Sequence, residues 1–181
     1  MTTKQPASMP VGHLEGSERR AQSVTSDWTL LRDCINGVAV KEIRSVYKRD
    51  GYVTEIYRTD WALDDRPVDQ VFQVVLEPGA INAWHMHEST TDRFFAATGR
   101  VAVVLYDARP RSPTLGMVNE LRIGIERPTL VSVPPGVWHG VQNIGVTPTV
   151  LLNLVDKAYI YEAPDHWDLP ADTDKIPYHF Q

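Results

Sequence analysis

Four residues in two short segments have the types and spacing of a metal site. His85 and His87 lie two positions apart, and Asp92 follows five positions after His87. On an extended strand, side chains at positions i and i+2 point to the same face, so both imidazoles would face one point. A second segment carries His139 three positions after Gly136 of a proline–glycine turn, at the start of another expected strand. Three imidazoles and a carboxylate suit one divalent first-row ion, namely Fe, Mn, Ni, Co or Zn.

Other interpretations of these residues stay open. The histidines could be polar residues satisfied by hydrogen bonds, and His139 could bond the backbone of its turn. Asp92 could bind the metal directly, orient a histidine from behind, or lie solvated at the rim. A catalytic metal site would leave at least one coordination position open for water or substrate.

The segments around these residues predict a protein built of β-strands. Short runs rich in β-branched and aromatic residues, bounded by turn residues, are typical of strands. They lie at 38–43, 53–57, 68–76, 94–106, 121–125, 130–133 and 149–155. Many short strands at near-regular spacing favour a β-sandwich or barrel. We therefore expect an all-β fold with a few short helical or irregular terminal segments.

The composition excludes several classes of protein. The chain has 181 residues, a formal net charge of −5 and a single cysteine, Cys34. One cysteine excludes an internal disulfide and a Cys-rich zinc module. The dispersed charge argues against nucleic acid as a partner, and no stretch approaches the ~20 apolar residues that a membrane span needs. The N-terminal residues lack the apolar core of a secretory signal, so we expect a soluble, cytoplasmic protein with a small-molecule substrate.

The two histidine segments resemble the two signature motifs of the cupin superfamily. The first motif is matched by Gly79, His85, His87 and Gly99, with Asp92 where the family has glutamate. The second motif is matched by Pro134, Gly136, His139 and Asn143. The resemblance implies a double-stranded β-helix, the cupin jelly-roll barrel, and a metal held by His85, His87 and His139 with Asp92 as a fourth candidate. We expect one cupin domain over 27–181, preceded by a flexible N-terminal arm over 1–26.

A closer resemblance, over about residues 35–180, is to the dTDP-4-dehydrorhamnose 3,5-epimerase family. The similar segments are 35–38, 49–52, 55–60, 103–107, 111–116, 133–140 and 161–164. The resemblance implies a homodimeric cupin in which a histidine takes a proton beside a 4-keto group and a tyrosine returns one on the other face. The histidine maps onto His85 or His87, and the tyrosine onto Tyr161 or else Tyr159. In that family the reaction proceeds without metal.

Three further residues are candidates for substrate binding. The resemblance maps an arginine that meets the nucleotide phosphates onto Arg58, for which a surface salt bridge is the alternative role. Trp84 and Trp138 flank the histidines in the two motifs. Each could stack on a substrate ring or pack around the site.

Two departures from the epimerase pattern shape the functional hypothesis. If His85 is the match for the catalytic histidine, Asn82 stands where the family has an arginine, and Asp92 stands where it has a lysine. An acidic group is poor for an enolate but good for a divalent cation. The leading hypothesis is therefore a metal-binding isomerase or epimerase acting on a sugar-like carbonyl compound, in which the metal stabilises an enolate and Tyr161 and His85 exchange protons. The alternatives are a non-haem Fe(II) dioxygenase or lyase with the same ligands, and a non-catalytic metabolite-binding cupin.

Overall fold

The computed structural model of the chain describes residues 12–27 and 30–181. By its internal contacts the chain divides into two units, Met1–Asp33 and Cys34–Gln181. The expected N-terminal arm falls in the first unit, and its residues 1–11 lie outside the described residues, as do positions 28 and 29. The remainder of the first unit contains turns and an antiparallel bridge between Val24 and Leu30.

The second unit is described throughout, and its regular secondary structure consists almost entirely of strands. These are β1 Ala39–Glu42, β2 Val46–Lys48, β3 Gly51–Val53, β4 Gln70–Leu76, β5 Ile81–Met86, β6 Asp92–Ala96, β7 Arg100–Asp107, β8 Val118–Gly124, β9 Thr129–Val133, β10 Val137–Asn143, β11 Thr149–Val155 and β12 Trp167–Asp168. Its helical segment is one 3₁₀ turn, Thr59–Trp61. Across the described residues, no helix has the length and apolar character needed to cross a membrane.

The strands form two antiparallel five-stranded sheets and a small hairpin. One sheet has the order β1-β9-β6-β11-β4, the other β12-β5-β10-β7-β8, and β2 pairs with β3. The main apolar core draws on both sheets, with Val103 and Leu105 of β7 in one cluster with Phe94 and Val131 of the other sheet. Such alternation of inward residues is expected where two sheets pack face to face. The architecture confirms the predicted all-β jelly-roll barrel.

The strand boundaries differ most from the sequence prediction at two places. The run predicted at 94–106 is divided into β6 and β7 by a turn, in which Gly99 has a φ of +66°. That left-handed conformation favours glycine, and a Cβ there would collide with the side chain of Thr149. The run predicted at 53–57 contributes only Val53 to a strand, because β3 ends there.

Candidate active site

A cavity of about 520 Å³ lies between the two sheets. Its apolar wall includes Phe72, Val74, Phe94 and Leu151, and three of the predicted metal-site histidines line it together with Asp92. The size suits a small organic molecule, and apolar walls with a few converging polar groups are typical of ligand sites.

Two strands and one turn bring the histidine motifs together. Strands β5 and β10 are paired antiparallel with His85 opposite His139, and the register shifts directly after His139. The turn before β10 contains Gly136, whose φ is +79°. The N–H of Gly136 donates to the carbonyl oxygen of His87 at 2.7 Å. The second motif is thus attached to the first by its own backbone.

The first of two polar clusters consists of His85, His166 and Asp168. Strand β12 pairs with β5 so that Asp168 lies opposite His85. Nδ1 of His85 donates to Oδ1 of Asp168 at 2.7 Å, and Nε2 of His166 lies 2.9 Å from the same oxygen. Because an ionised carboxylate only accepts, Nδ1 of His85 carries the hydrogen and Nε2 carries the lone pair. That Nε2 lies 2.6 Å from Oδ1 of Asn82, and the amide complements the lone pair when it is turned so that its Nδ2 donates to Nε2.

The electrostatics of this cluster suit proton transfer. Burial lowers the pKa of His85 below its usual 6.5 and outweighs the opposing hydrogen bond to Asp168. Burial alone would raise the pKa of Asp168, but the hydrogen bond from His85 and the neighbouring His166 bring it below its usual range. A neutral imidazole oriented by an ionised carboxylate is the arrangement of a general base.

The second cluster consists of His87, Asp92 and His139 and lies deeper. Their side chains are 13%, 4% and 6% exposed. Oδ2 of Asp92 lies 3.5 Å from Nε2 of His87 and 3.9 Å from Nε2 of His139. Oδ1 of Asp92 accepts a hydrogen bond of 2.7 Å from Nδ2 of Asn153. Burial lowers the pKa of His139 to about 4, so its imidazole is neutral at pH 7.

The outer nitrogens of both histidines in this cluster are held by backbone carbonyls. Nδ1 of His87 donates to the carbonyl oxygen of Asp165, and Nδ1 of His139 lies 3.3 Å from that of Val137. The carboxylate of Asp165 is itself fixed by the backbone N–H and the hydroxyl of Ser89, at 2.9 and 2.8 Å. Both imidazoles therefore direct Nε2 towards Asp92. Histidine ligands of metals are commonly oriented in this way.

The two tyrosine candidates both line the cavity. Tyr161 is 81% exposed and Tyr159 is 50% exposed, and their ring centroids are 5.3 Å apart. The structure thus brings Tyr161 to the same cavity as His85, as the sequence predicts.

The three residues predicted to bind substrate lie outside the cavity lining of this chain, and for Trp84 and Trp138 the assignment is corrected. Trp84 is fully buried against Phe180, and Trp138 packs in the same apolar cluster, outside the cavity lining. Neighbouring residues of a strand face opposite sides, so side chains adjacent to His85 and His139 point away from the cavity. Arg58 lies outside the cavity lining of its own chain and forms a surface ion pair with Asp60 at 2.6 Å.

The sequence prediction also grouped His85 with the metal ligands. The structure separates it, because the donor atoms within 4.8 Å of one another form two groups, His85 with His166 and Asp168, and His87 with Asp92 and His139. His166 and Asp168 received no role from the sequence. The signal was present, since they are spaced i and i+2 like His85 and His87, but nothing local shows which strand they join.

Comparisons with known proteins agree on one family. The sequence profile of dTDP-4-dehydrorhamnose 3,5-epimerase matches residues 32–173. The probable low-salt glycan biosynthesis epimerase Agl13 of Haloferax volcanii is 34% identical over 139 residues, covering 76% of this chain and 89% of that protein. The spore coat polysaccharide biosynthesis protein SpsL of Bacillus subtilis is 33% identical over 146 residues, covering 81% and 96%.

A solved structure extends this likeness to three dimensions. The dTDP sugar isomerase of Desulfovibrio desulfuricans G20 superimposes with a TM-score of 0.75 at 27% identity, covering 81% of this chain and 92% of that one. The region that the family profile matches, residues 32–173, contains both histidine clusters and Tyr161. Of the three functional hypotheses, these relatives support the isomerase and not the oxygenase or the binding protein. The chain belongs to the dTDP-4-dehydrorhamnose 3,5-epimerase family and is an enzyme of the isomerase/epimerase class that acts on sugar substrates.

Proposed function

We propose that this enzyme inverts the configuration of a carbon next to the keto group of a nucleotide-linked 4-keto sugar. The observation that carries the proposal is the neutral His85, held by Asp168 through Nδ1 and facing Asn82 with Nε2, in the same cavity as Tyr161. Each of these two residues supplies one half of an epimerisation, namely removal of a proton and its return.

The proton and electron balance of the reaction follows from these roles. Nε2 of His85 accepts the proton from the carbon beside the carbonyl, and the electron pair of that C–H bond moves to the carbonyl oxygen as an enolate. The hydroxyl of Tyr161 then donates a proton to the same carbon from the other face, and the ketone forms again. Exchange with solvent returns His85 to the neutral form and Tyr161 to the phenol.

A nucleotide diphosphate as the carrier of the sugar is supported by the family description and by one residue of the cavity. Lys157 is the permanent cation among the described lining residues, and it lies four positions before Tyr161. A single ammonium at the cavity is a suitable contact for a phosphate. The two basic positions of the family pattern are held here by Asn82 and Asp92.

The proposal is tested by hydrogen exchange at the sugar ring. The enzyme is incubated with dTDP-4-dehydrorhamnose in D₂O, and the ring hydrogens are followed by proton NMR. We expect loss of the signal of at least one hydrogen beside the keto group and the appearance of an epimer. An unchanged spectrum, with a related epimerase active in the same buffer, would contradict the proposal.

We also propose that the enzyme is a homodimer, as the family resemblance implies. Strand β4 is at the edge of its sheet, and its Val71 and Val75 are more than half exposed. The β2–β3 hairpin exposes Tyr47 and Tyr52 as well. Apolar exposure of this extent at a sheet edge is typical of an interaction surface. Sedimentation equilibrium should give twice the chain mass, and a monomer would refute this assembly.

A further inference from the structure

The second cluster contains three acceptor atoms that face one another. A carbonyl oxygen only accepts hydrogen bonds, so the contacts to Asp165 and Val137 place the ring hydrogens of His87 and His139 on Nδ1. When Nδ1 carries the ring hydrogen, Nε2 of each imidazole offers its lone pair to a cation. Both lone pairs are directed towards the carboxylate of Asp92, where another acceptor meets them.

Direct contacts within the cluster do not complete this arrangement. Oδ2 of Asp92 is 3.5 and 3.9 Å from the two Nε2 atoms, and neither pair forms a hydrogen bond. Among the described residues 30–181, Asn153 is the side chain that donates a hydrogen bond to Asp92, and it donates to Oδ1, not to Oδ2. Oδ2 and the two Nε2 atoms are therefore acceptors that lack a positive or donating partner among the described residues.

A second buried carboxylate shows how this fold completes an acidic side chain when its role is structural. Asp107 is fully buried, and both of its oxygens accept hydrogen bonds, from Arg109, Ser112 and Thr114. Asp107 thus has a positive partner within its own loop. Asp92 is buried to the same degree but faces two imidazole lone pairs in place of a guanidinium.

We propose that His87, Asp92 and His139 bind one divalent first-row transition metal ion through Nε2, Oδ2 and Nε2. Ligands about 2.1 Å from such an ion are about 3.0 to 3.4 Å from one another, so small side-chain rotations bring these atoms onto it. Two imidazoles and one carboxylate are a known ligand set for divalent iron and related ions, and they leave coordination positions open. The three residues line the cavity, so those positions face the substrate space.

This ligand set differs from the four-residue set that the sequence suggested. Nδ1 of His85 is engaged by Asp168, and its Nε2 faces Asn82. His85 therefore belongs to the group with His166 and Asp168, and not to the group of the three proposed ligands. His85 thus remains available for proton transfer, while the ion occupies the neighbouring cluster.

The ion would supply positive charge for an oxyanion at the position where the family pattern has lysine. That catalytic consequence rests on the proposed function. The binding of the ion does not, and it is measured without substrate.

The test is a metal titration of the full-length protein after treatment with a chelator. Co²⁺ is added without substrate, and binding is followed by visible absorption and by calorimetry. We expect about one ion per chain with bands typical of nitrogen and oxygen ligands. Asp92→Asn keeps the acceptor for Asn153 but removes the anionic ligand, and it should weaken binding by at least about 100-fold.

Matched variants make the assignment specific. His87→Gln, at the less buried ligand, is the second ligand variant if Asp92→Asn fails to fold by circular dichroism. His85→Asn and His166→Ala lie in the other cluster and should keep the stoichiometry of the wild type. The inference is overturned if the wild type takes up no ion, if both ligand variants bind as the wild type does, or if His85→Asn abolishes binding. Wild-type protein that binds Co²⁺ but exchanges no ring hydrogen would refute the proposed function and leave the metal site intact.

Discussion

The two polar clusters of the cavity are built from the same residue types and differ in how their hydrogen-bonding atoms meet. Their rings are neighbours, with centroids 5.1 Å apart for His87 and His166 and 6.1 Å apart for His85 and His139. In the first cluster an N–H of His85 meets a carboxylate oxygen, so donor and acceptor are matched. In the second, acceptors converge on one buried point. Matched pairs suit the transfer of a proton, whereas converging acceptors suit the binding of a cation.

The largest expected effect is on the first cluster. His85→Asn removes the proposed base, and we expect kcat for epimerisation to fall by about 10³-fold, within the range for loss of a general base. Ring-hydrogen exchange measured by NMR should fall equally. Asp168→Asn leaves the imidazole of His85 in place but removes the carboxylate that orients it, so it should lower kcat by a smaller factor. Equal loss of Co²⁺ binding in His85→Asn would show that the two clusters are one site.

Removal of the tyrosine hydroxyl should separate the two halves of the reaction. Tyr161→Phe is expected to lower formation of the epimer by about 10²-fold, because the second proton loses its donor. Exchange of the hydrogen that His85 removes should persist, since enolate formation does not need Tyr161. NMR in D₂O measures both quantities in one experiment. Tyr159→Phe is the matched control, and a larger loss in that variant would exchange the roles of the two tyrosines.

Asp107, the buried carboxylate with a structural role, should contribute to the stability of the fold through its charge. Asp107→Asn breaks the pairing with Arg109 and should lower the free energy of unfolding by about 2 kcal/mol at pH 7. Hydrogen bonds from Arg109, Ser112 and Thr114 outweigh burial and depress the pKa of Asp107 well below its usual range. A depressed carboxyl pKa stabilises the fold above the unfolded pKa of about 4 and loses that contribution as the pH falls below it.

Denaturant unfolding at several pH values measures this difference. The stabilities of the wild type and Asp107→Asn should therefore converge as the pH decreases below about 4. A constant difference down to low pH would mean that the charge of Asp107 does not stabilise the fold.

The smallest expected effect comes from Asn153, which donates a hydrogen bond to Asp92. Asn153→Leu removes the hydrogen bond to Oδ1 and frees the carboxylate to rotate, and we expect Co²⁺ affinity to fall by about 10-fold. Calorimetric titration measures the change, with Asn82→Ala, beside His85 of the first cluster, as the control. Unchanged affinity in Asn153→Leu would show that the hydrogen bond does not orient the ligand.

Local spacing predicted a β-sandwich or barrel, which the family resemblance narrowed to the jelly roll, and it singled out the residues of the second cluster. His85 and His87 obey the i, i+2 rule of a strand, and the turn before His139 is marked by proline and glycine. The partners of these histidines were not predictable in the same way. Asp168 reaches His85 across 83 positions of the chain, and that contact depends on the pairing of β12 with β5.

Trp84 and Trp138 were predicted to contact substrate because they are close to the histidines along the chain. Trp84 and Trp138 are adjacent to the site in sequence, but strand alternation turns each of them away from the cavity. Nearness along the chain therefore misidentified them as ligand contacts. Arg58 takes the alternative role that the sequence left open, because Glu55 and Asp60 pair with it at the surface.

The segment from Asp165 to Asp168 has a consequence for biosynthesis. Its backbone and side chains fix the imidazoles of both clusters, through the carbonyl of Asp165 on His87 and the carboxylate of Asp168 on His85. During translation, every other strand of the two large sheets leaves the ribosome before β12 does. A nascent chain could thus complete nearly all of its barrel while His85 and His87 still lack these partners. The last strand synthesised, with the segment directly before it, gives both imidazoles their final tautomers.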